Sequence, residues 1–178
     1  MNWAYFAGYF DGEGSLVFSV TKEKRERFLK NSLNDGWGIN PQLTISSYDY
    51  ETLKEIQDFL DSFDRKVNKH QASYYDVKKA RDSQTRDCGR LIICGWKRVD
   101  WVAKNLIPYS INKKQQLVIY RSLVRHIIAP APEYKIKRKP TKKHFLCIME
   151  YVDKINSLKS RNRGKYNTQY FRDLWGMN

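Results

Sequence analysis

The sequence predicts an α+β fold, an antiparallel sheet with helices on one face and a helical extension at the C-terminus. Three observations predict it. Two pairs of segments alternate apolar and polar residues with period 2, the stretches between and after them repeat apolar residues at helical spacing, and turn or capping residues separate the two patterns. The resulting order is αββαββα followed by further helix. At 178 residues, with 41% hydrophobic and 14% aromatic side chains, the chain has material for one compact core rather than two.

Residues 3 to 10, Trp-Ala-Tyr-Phe-Ala-Gly-Tyr-Phe, are apolar all round and are expected to form a short helix buried on every side. Asp11-Gly12-Glu13-Gly14 ends it, its glycines being able to take a positive φ. Leu16, Phe18 and Val20 then alternate with Val17, Ser19 and Thr21 as a strand. After a charged loop over 22–35, Leu43 and Ile45 alternate with Gln42, Thr44 and Ser46 as its return. Leu53, Ile56, Leu60 and Phe63 place a helix over 50–63, with Asp49 as candidate cap. A second hairpin is expected over 65–81 and 88–96, with residues 81–87 at its tip and Leu91-Ile92-Ile93 on its return. A helix over 97–106 stops before Pro108, and Asn112 can cap the next, whose stripe is Leu117, Tyr120, Val124 and Ile127. Ala129-Pro130-Ala131-Pro132 ends that helix, and Thr141 can cap a last one with Phe145, Ile148, Val152 and Ile155 on one face. Residues 1–128 are thus read as the principal domain, and 129–178 as a basic linker, helix and tail packed on it or extending it.

Thirty-three Lys and Arg against 19 Asp and Glu leave a net charge of +14, which calls for a polyanionic partner or an anionic membrane surface. No run of about 18 apolar residues exists and the N-terminus lacks the form of a signal peptide. No membrane partner is therefore expected, nucleic acid is favoured, and the protein is read as intracellular, in a prokaryotic cytoplasm or an organelle. The odd, widely spaced Cys88, Cys94 and Cys147 fit neither a disulfide framework nor a zinc site, and His70, His126 and His144 share no ligand spacing.

Ala4, Gly8 and Gly12 recur every four residues, so on a helix they form a strip almost without side chains, against which another backbone can lie closely. The same helix of a second copy, across a two-fold axis, is one partner; a larger helix of the same chain is the other. Asp11 and Glu13 fall at the C-terminal end of this helix, where its dipole disfavours carboxylates. Two such turns brought together by a two-fold axis would ionise together only with a cation between them, and magnesium suits oxygen ligands that also face a phosphate.

Phe6-Ala7-Gly8-Tyr9-Phe10-Asp11-Gly12-Glu13-Gly14 resembles the LAGLIDADG motif of homing endonucleases, with Glu at the second acidic position. The order of elements over roughly 3–128 is similar to that family's repeated unit, and single-motif members are homodimers. The resemblance implies a site-specific double-strand DNA endonuclease of the intron- or intein-homing type, acting on a long, near-palindromic site. It implies two or three divalent ions, Mg2+, shared at the dimer axis, with Glu13 as metal ligand, the Gly12 carbonyl beside it, and Asp11 nearby as a turn-stabilising acid or a further ligand. Asp49 takes the place of a residue that organises catalytic water, which leaves it either that role or a helix cap. Lys113, or its neighbour Lys114, takes the place of the family's active-site lysine. In such a site metals polarise the phosphate and stabilise the leaving oxygen while water attacks in line.

A two-stranded ribbon fits the major groove, and the polar face of the first hairpin offers Ser19, Thr21, Gln42, Thr44 and Ser46 to base edges, with Lys22, Lys24, Arg25 and Arg27 for phosphates. Lys66, Lys69, Arg81, Arg86 and Arg90 of the second hairpin extend this footprint. Two rivals stand beside it: a group I intron maturase binding intron RNA on the same fold, and a non-catalytic DNA-binding regulator, which should have lost the acids that this chain keeps.

Overall fold

The computed structural model describes residues 1–24, 34–67, 76–81, 87–128, 141–159 and 165–177, with side chains for all of them except 64–67, 76–81, 87 and 125–128. In chain order they form α1 (Trp3–Glu13), β1 (Gly14–Lys22), β2 (Trp37–Ser47), α2 (Tyr50–Val67), β3 (Asp76–Arg81), β4 (Asp87–Cys94), α3 (Trp96–Leu106), α4 (Lys114–Ile128), α5 (Lys142–Ser157) and α6 (Thr168–Trp175). The sheet runs β1-β2-β4-β3, with β4 antiparallel to both of its neighbours. Two compact units divide the chain, 1–17 with 41–117 and 18–40 with 118–178. Strands β1 and β2 and helix α4 each run from one unit into the other.

In the first unit, the apolar alternation read from the sequence becomes a one-sided sheet. Leu43 and Ile45 of β2 face Ile93 and Leu91 of β4 across the ladder, and all four are fully buried. Helix α2 buries Leu53, Ile56 and Leu60 against β3 and β4. At Gly89 of β4 an added Cβ would lie 2.6 Å from Leu53 Cδ1, so glycine sets how closely α2 approaches. Helix α3 buries Val99, Val102, Ala103 and Leu106 against α1 and β4. The Trp3 ring packs on Phe6, Phe59, Phe63 and Trp101 at centroid distances of 5.1 to 5.9 Å.

The second unit is built on aromatic residues. Trp37, at the start of β2, is met edge-on by Tyr166 and by Phe171 at 5.2 and 5.0 Å, and Phe171 in turn packs on Phe145 of α5 at 4.9 Å. Tyr120, Leu123 and Val124 of α4 are buried, with Phe18 of β1 5.8 Å from the Tyr120 ring. Thr141 caps α5 as its sequence position predicts, its hydroxyl accepting from the His144 amide. Asn167 caps α6 in the same way.

Four expectations change. Among the described residues helix α1 is covered on one face: Phe6, Ala7 and Phe10 are buried, while Ala4, Tyr5, Gly8 and Gly12 are exposed. Neither Gly12 nor Gly14 adopts a positive φ: α1 continues through Gly12 to Glu13 and passes into β1 at Gly14, whose φ is −81°. Glycine is required at 14 because a Cβ there would run into the Phe10 ring and carbonyl. Helix α2 continues to Val67 and β3 is described from Asp76, so the second hairpin starts later than the apolar pattern suggested. Helix α4 begins at Lys114, and the amides ahead of it bond to Asp11 of α1 rather than to a local cap at Asn112.

Candidate metal centre and nucleic-acid interface

The joint between α1 and β1 places Asp11 and Glu13 two residues apart with opposite surroundings. The Asp11 carboxylate accepts four hydrogen bonds: Oδ1 from the Ser110 hydroxyl and the Lys113 amide, Oδ2 from the Ile111 and Asn112 amides. Burial pushes this carboxyl up, but the bonds from Ser110, Ile111, Asn112 and Lys113 outweigh that and hold it below the usual aspartate value. Both oxygens are thereby engaged in closing the turn before α4. Glu13 is exposed, and among the described residues no hydrogen bond reaches its carboxylate.

Lys113 is drawn to this joint. Its ammonium donates to the Asp11 carbonyl and lies 5.8 Å from the Phe10 ring centroid. Burial lowers its pKa, against which the charges of Asp11 and Glu13 work. The sequence-predicted residues Asp11, Gly12, Glu13 and Lys113 therefore meet, even though about a hundred positions separate the last from the rest. Lys114 is the first residue of α4.

Asp49 sits just ahead of α2 as its cap: its Oδ1 accepts from the Thr52 amide at 3.0 Å and its Oδ2 from the Thr52 hydroxyl at 2.6 Å. Those bonds hold its carboxyl below the usual range. A link unforeseen in the sequence joins it to α1. Tyr9 donates to Ser47 Oγ at 2.7 Å, and the same Oγ accepts from the Asp49 amide at 3.1 Å. Burial raises the Tyr9 pKa; the bond to Ser47 opposes this, and the charges of Asp49 and Glu13 add to it. Ser110, almost fully buried, was also missed; a serine just ahead of a helix is the signal that could have marked it.

Among the described residues no three His, Cys, Asp or Glu side chains converge as a metal cage. The donor set at the joint fits a divalent cation through one carboxylate, that of Glu13, whose oxygens make no other bond among the described residues. Hard cations such as magnesium are held in that way, by one or two carboxylates with water and phosphate oxygens completing the shell.

Among the described residues the small-residue strip is open. A Cβ added at Gly8 or Gly12 would meet nothing within 4 Å, and Ala4 is exposed beside them. Of the residues expected at nucleic acid, Gln42, Thr44 and Ser46 alternate with the buried Leu43 and Ile45 and stand on the opposite face of β2. Across the ladder Arg90 pairs with Ser46 and donates to its Oγ at 3.3 Å. Thr44 also bonds back to the Ser15 carbonyl. In the second unit Thr21, Lys22 and Lys24 are exposed and Ser19 is half-buried, with the Lys22 ammonium 5.5 Å from the Trp37 ring centroid. The side chains of Lys66 and Arg81, and the whole of Arg25, Arg27, Lys69 and Arg86, lie outside the described residues. Also among the described residues, no helix is long and apolar enough to cross a membrane.

Residues 6–86 match the family model described as LAGLIDADG endonuclease. The fold is similar to that of the homing endonuclease I-CvuI in complex with the I-CreI target in the presence of Mg, with a TM-score of 0.70 and 15% identity over 98% of this chain and 92% of that one. The same endonuclease with its own target and Ca gives 0.68 and 17%, over 96% and 90%. An archaeal intron-encoded homing endonuclease complexed with DNA gives 0.67 and 12%, over 99% and 97%. No curated protein sequence matches the chain. The intron RNA expected as an alternative partner finds no support in these likenesses.

Proposed function

We propose, from the match of residues 6–86 to the LAGLIDADG endonuclease model and the likeness of the fold to homing endonucleases, that the protein is a site-specific, metal-dependent DNA endonuclease. It acts as a homodimer on a long, near-palindromic duplex site. Residues 1–128 form its nuclease domain, and 129–178 extend it. The observation that carries the reading is the contrast at the α1–β1 joint: Asp11 is saturated by four donors while Glu13, two residues on, is exposed and unbonded among the described residues.

Glu13 and the Gly12 carbonyl would hold the divalent ions, two or three Mg2+ between the two subunits, and Ala4, Gly8 and Gly12 would carry the contact between the two α1 helices. Bound there, the ions supply Lewis-acid polarisation of the phosphate and a water of lowered pKa. Asp11 and Ser110 fix the turn that presents Lys113, and Lys113 brings positive charge to the side of the phosphate. Asp49, tied through Ser47 to Tyr9, orders solvent at the mouth of the same joint. Gln42, Thr44, Ser46 and Arg90 read base edges from the open face of the sheet, and each subunit cuts one strand. Relatives of the same fold solved with DNA and with Mg or Ca support this reading.

The test is Glu13→Gln. It keeps the shape of the side chain and removes the ligand charge. Binding to a cleavable duplex should stay within about threefold of wild type while Mg2+-dependent cleavage is lost. Retained metal-dependent cleavage overturns the assignment of Glu13, and failure of wild type to cut any duplex overturns the function.

A further inference from the structure

The turn that enters β2 is held from outside the hairpin. Asp35 and Gly36 both take positive φ, 56° and 81°, the left-handed region that Gly adopts freely and Asp more readily than most other residues. Inside the turn, the buried Asn34 donates its Nδ2 to the Trp37 carbonyl at 2.7 Å and the Gly36 carbonyl accepts from the Glu23 amide at 2.9 Å. Outside it, Asp35 Oδ2 accepts from the Trp175 indole at 2.8 Å and pairs with the Lys142 ammonium at 3.1 Å. Lys142 is the first residue of α5, Trp175 the last of α6, and the ammonium lies 5.7 Å from the indole centroid. Trp37 is buried to 7% exposure, its ring against Tyr166, Tyr170 and Phe171, and Lys22 lies over that ring. The two ends of the C-terminal helix pair thus converge on one aspartate, and its aromatic core closes on the neighbouring tryptophan.

We infer that α5 and α6 are a brace for the turn end of the β1–β2 hairpin, and that Asp35, Trp37 and Trp175 are positioning residues for base-pair discrimination by Ser19 and Thr21, beside which Lys22 and Lys24 meet phosphates. The inference rests on the DNA-endonuclease reading above. A ribbon reads bases only if its side chains hold a fixed register in the groove, and an end left to fray would bind phosphates without discriminating between base pairs. Binding by charge alone and reading by position respond differently to the same change. Asp35→Asn raises the net charge by one, which favours phosphate binding, and at the same time removes the anion that both helices grip.

The test compares the full-length wild type with Asp35→Asn and Trp175→Phe, the latter deleting the indole donor while keeping an aromatic ring. Amide hydrogen exchange at Glu23, Trp37 and Gly38 should quicken about threefold to tenfold in both variants, with Val102 and Leu106 of α3 unchanged. Cleavage of a randomised duplex pool in Mg2+ should then show weaker base preference at the positions that Ser19 and Thr21 read, with total cleavage retained. Unchanged exchange overturns the brace. Quicker exchange with unaltered base preference throughout the site overturns its part in recognition. If wild type cuts nothing in the pool, the endonuclease reading fails, and the exchange measurement still decides the brace.

Discussion

Asp11 and Lys113 hold each other at both ends. The carboxylate of Asp11 accepts the Lys113 amide at 3.1 Å, and the Lys113 ammonium returns to the Asp11 carbonyl. One acid therefore does for α4 what a local cap does for most helices, and it ties a turn to α1 at the residue beside Gly12 and Glu13.

Asp11→Asn should loosen this turn. An amide can still accept at its oxygen, but its nitrogen cannot accept from Ile111 and Asn112, so a loss of about 1–2 kcal/mol is expected at pH 7, charge-assisted bonds being worth somewhat more when fully buried. The folded-state pKa of Asp11 is depressed, so its contribution is complete above the unfolded value near 4 and is lost as pH falls through the lower folded value. Melting curves of wild type and variant should converge as pH falls below about 4. A constant gap down to acid pH would contradict this role.

Lys113 loses its proton at lower pH than an ordinary lysine, because burial disfavours its charge. Its depressed pKa means that the folded state is relatively favoured as pH rises through it, so an alkaline fall in cleavage cannot be ascribed to this residue unfolding the protein. With the ammonium as the working form, cleavage should decline on the alkaline side below the usual lysine value of about 10.4. In Lys113→Arg the decline should move to higher pH, since guanidinium stays charged. Identical alkaline limbs would remove Lys113 from the reaction.

Gly8→Leu separates the two possible uses of the strip. Within one chain the new side chain starts in open space and gains helix propensity of up to about 1 kcal/mol over glycine, so the monomer should melt no lower than wild type. Across a two-fold interface the same side chain intrudes twice, at roughly 1–3 kcal/mol each. Sedimentation should show wild type as a dimer and the variant as a well-folded monomer without cleavage. A stable, active, dimeric variant would place the interface elsewhere.

Binding to duplex DNA should weaken steeply with salt, log K falling about 0.9 per phosphate neutralised, as the net charge of +14 requires. Arg90→Gln should reduce that slope slightly while weakening preference where Ser46 and Arg90 meet the DNA. Gel shifts across a salt series measure both effects, and a flat response would point to a partner other than a polyanion.

What the sequence made legible was local. Asp49 and Thr141 could be read as caps because each bonds three residues ahead, and Leu43, Ile45, Leu91 and Ile93 because alternation marks a buried sheet face. The partners of Asp11 lie about a hundred residues away, so its saturation left no trace in the motif around it, and Asn112 took the role of cap by default. Trp37 fell outside the expected return strand because its cover comes from Tyr166 and Phe171, in a tail whose spacing carries no recognisable motif. The open face of α1 was hidden for the opposite reason: its sequence is apolar all round, while among the described residues Ala4, Tyr5, Gly8 and Gly12 are exposed.

Helix α1 ends at Glu13 and β1 begins at Gly14, with no residue between them. The join therefore has no slack. One residue inserted into α1 would swing the Glu13 carboxylate by about 100° around the helix axis, and one inserted after it would turn every β1 side chain to the opposite face of the sheet. A change of length here disturbs the Glu13 side chain and every side chain of β1 in a single event. Insertions and deletions that leave a working protein should accordingly avoid the α1–β1 join, which should drift by substitution alone.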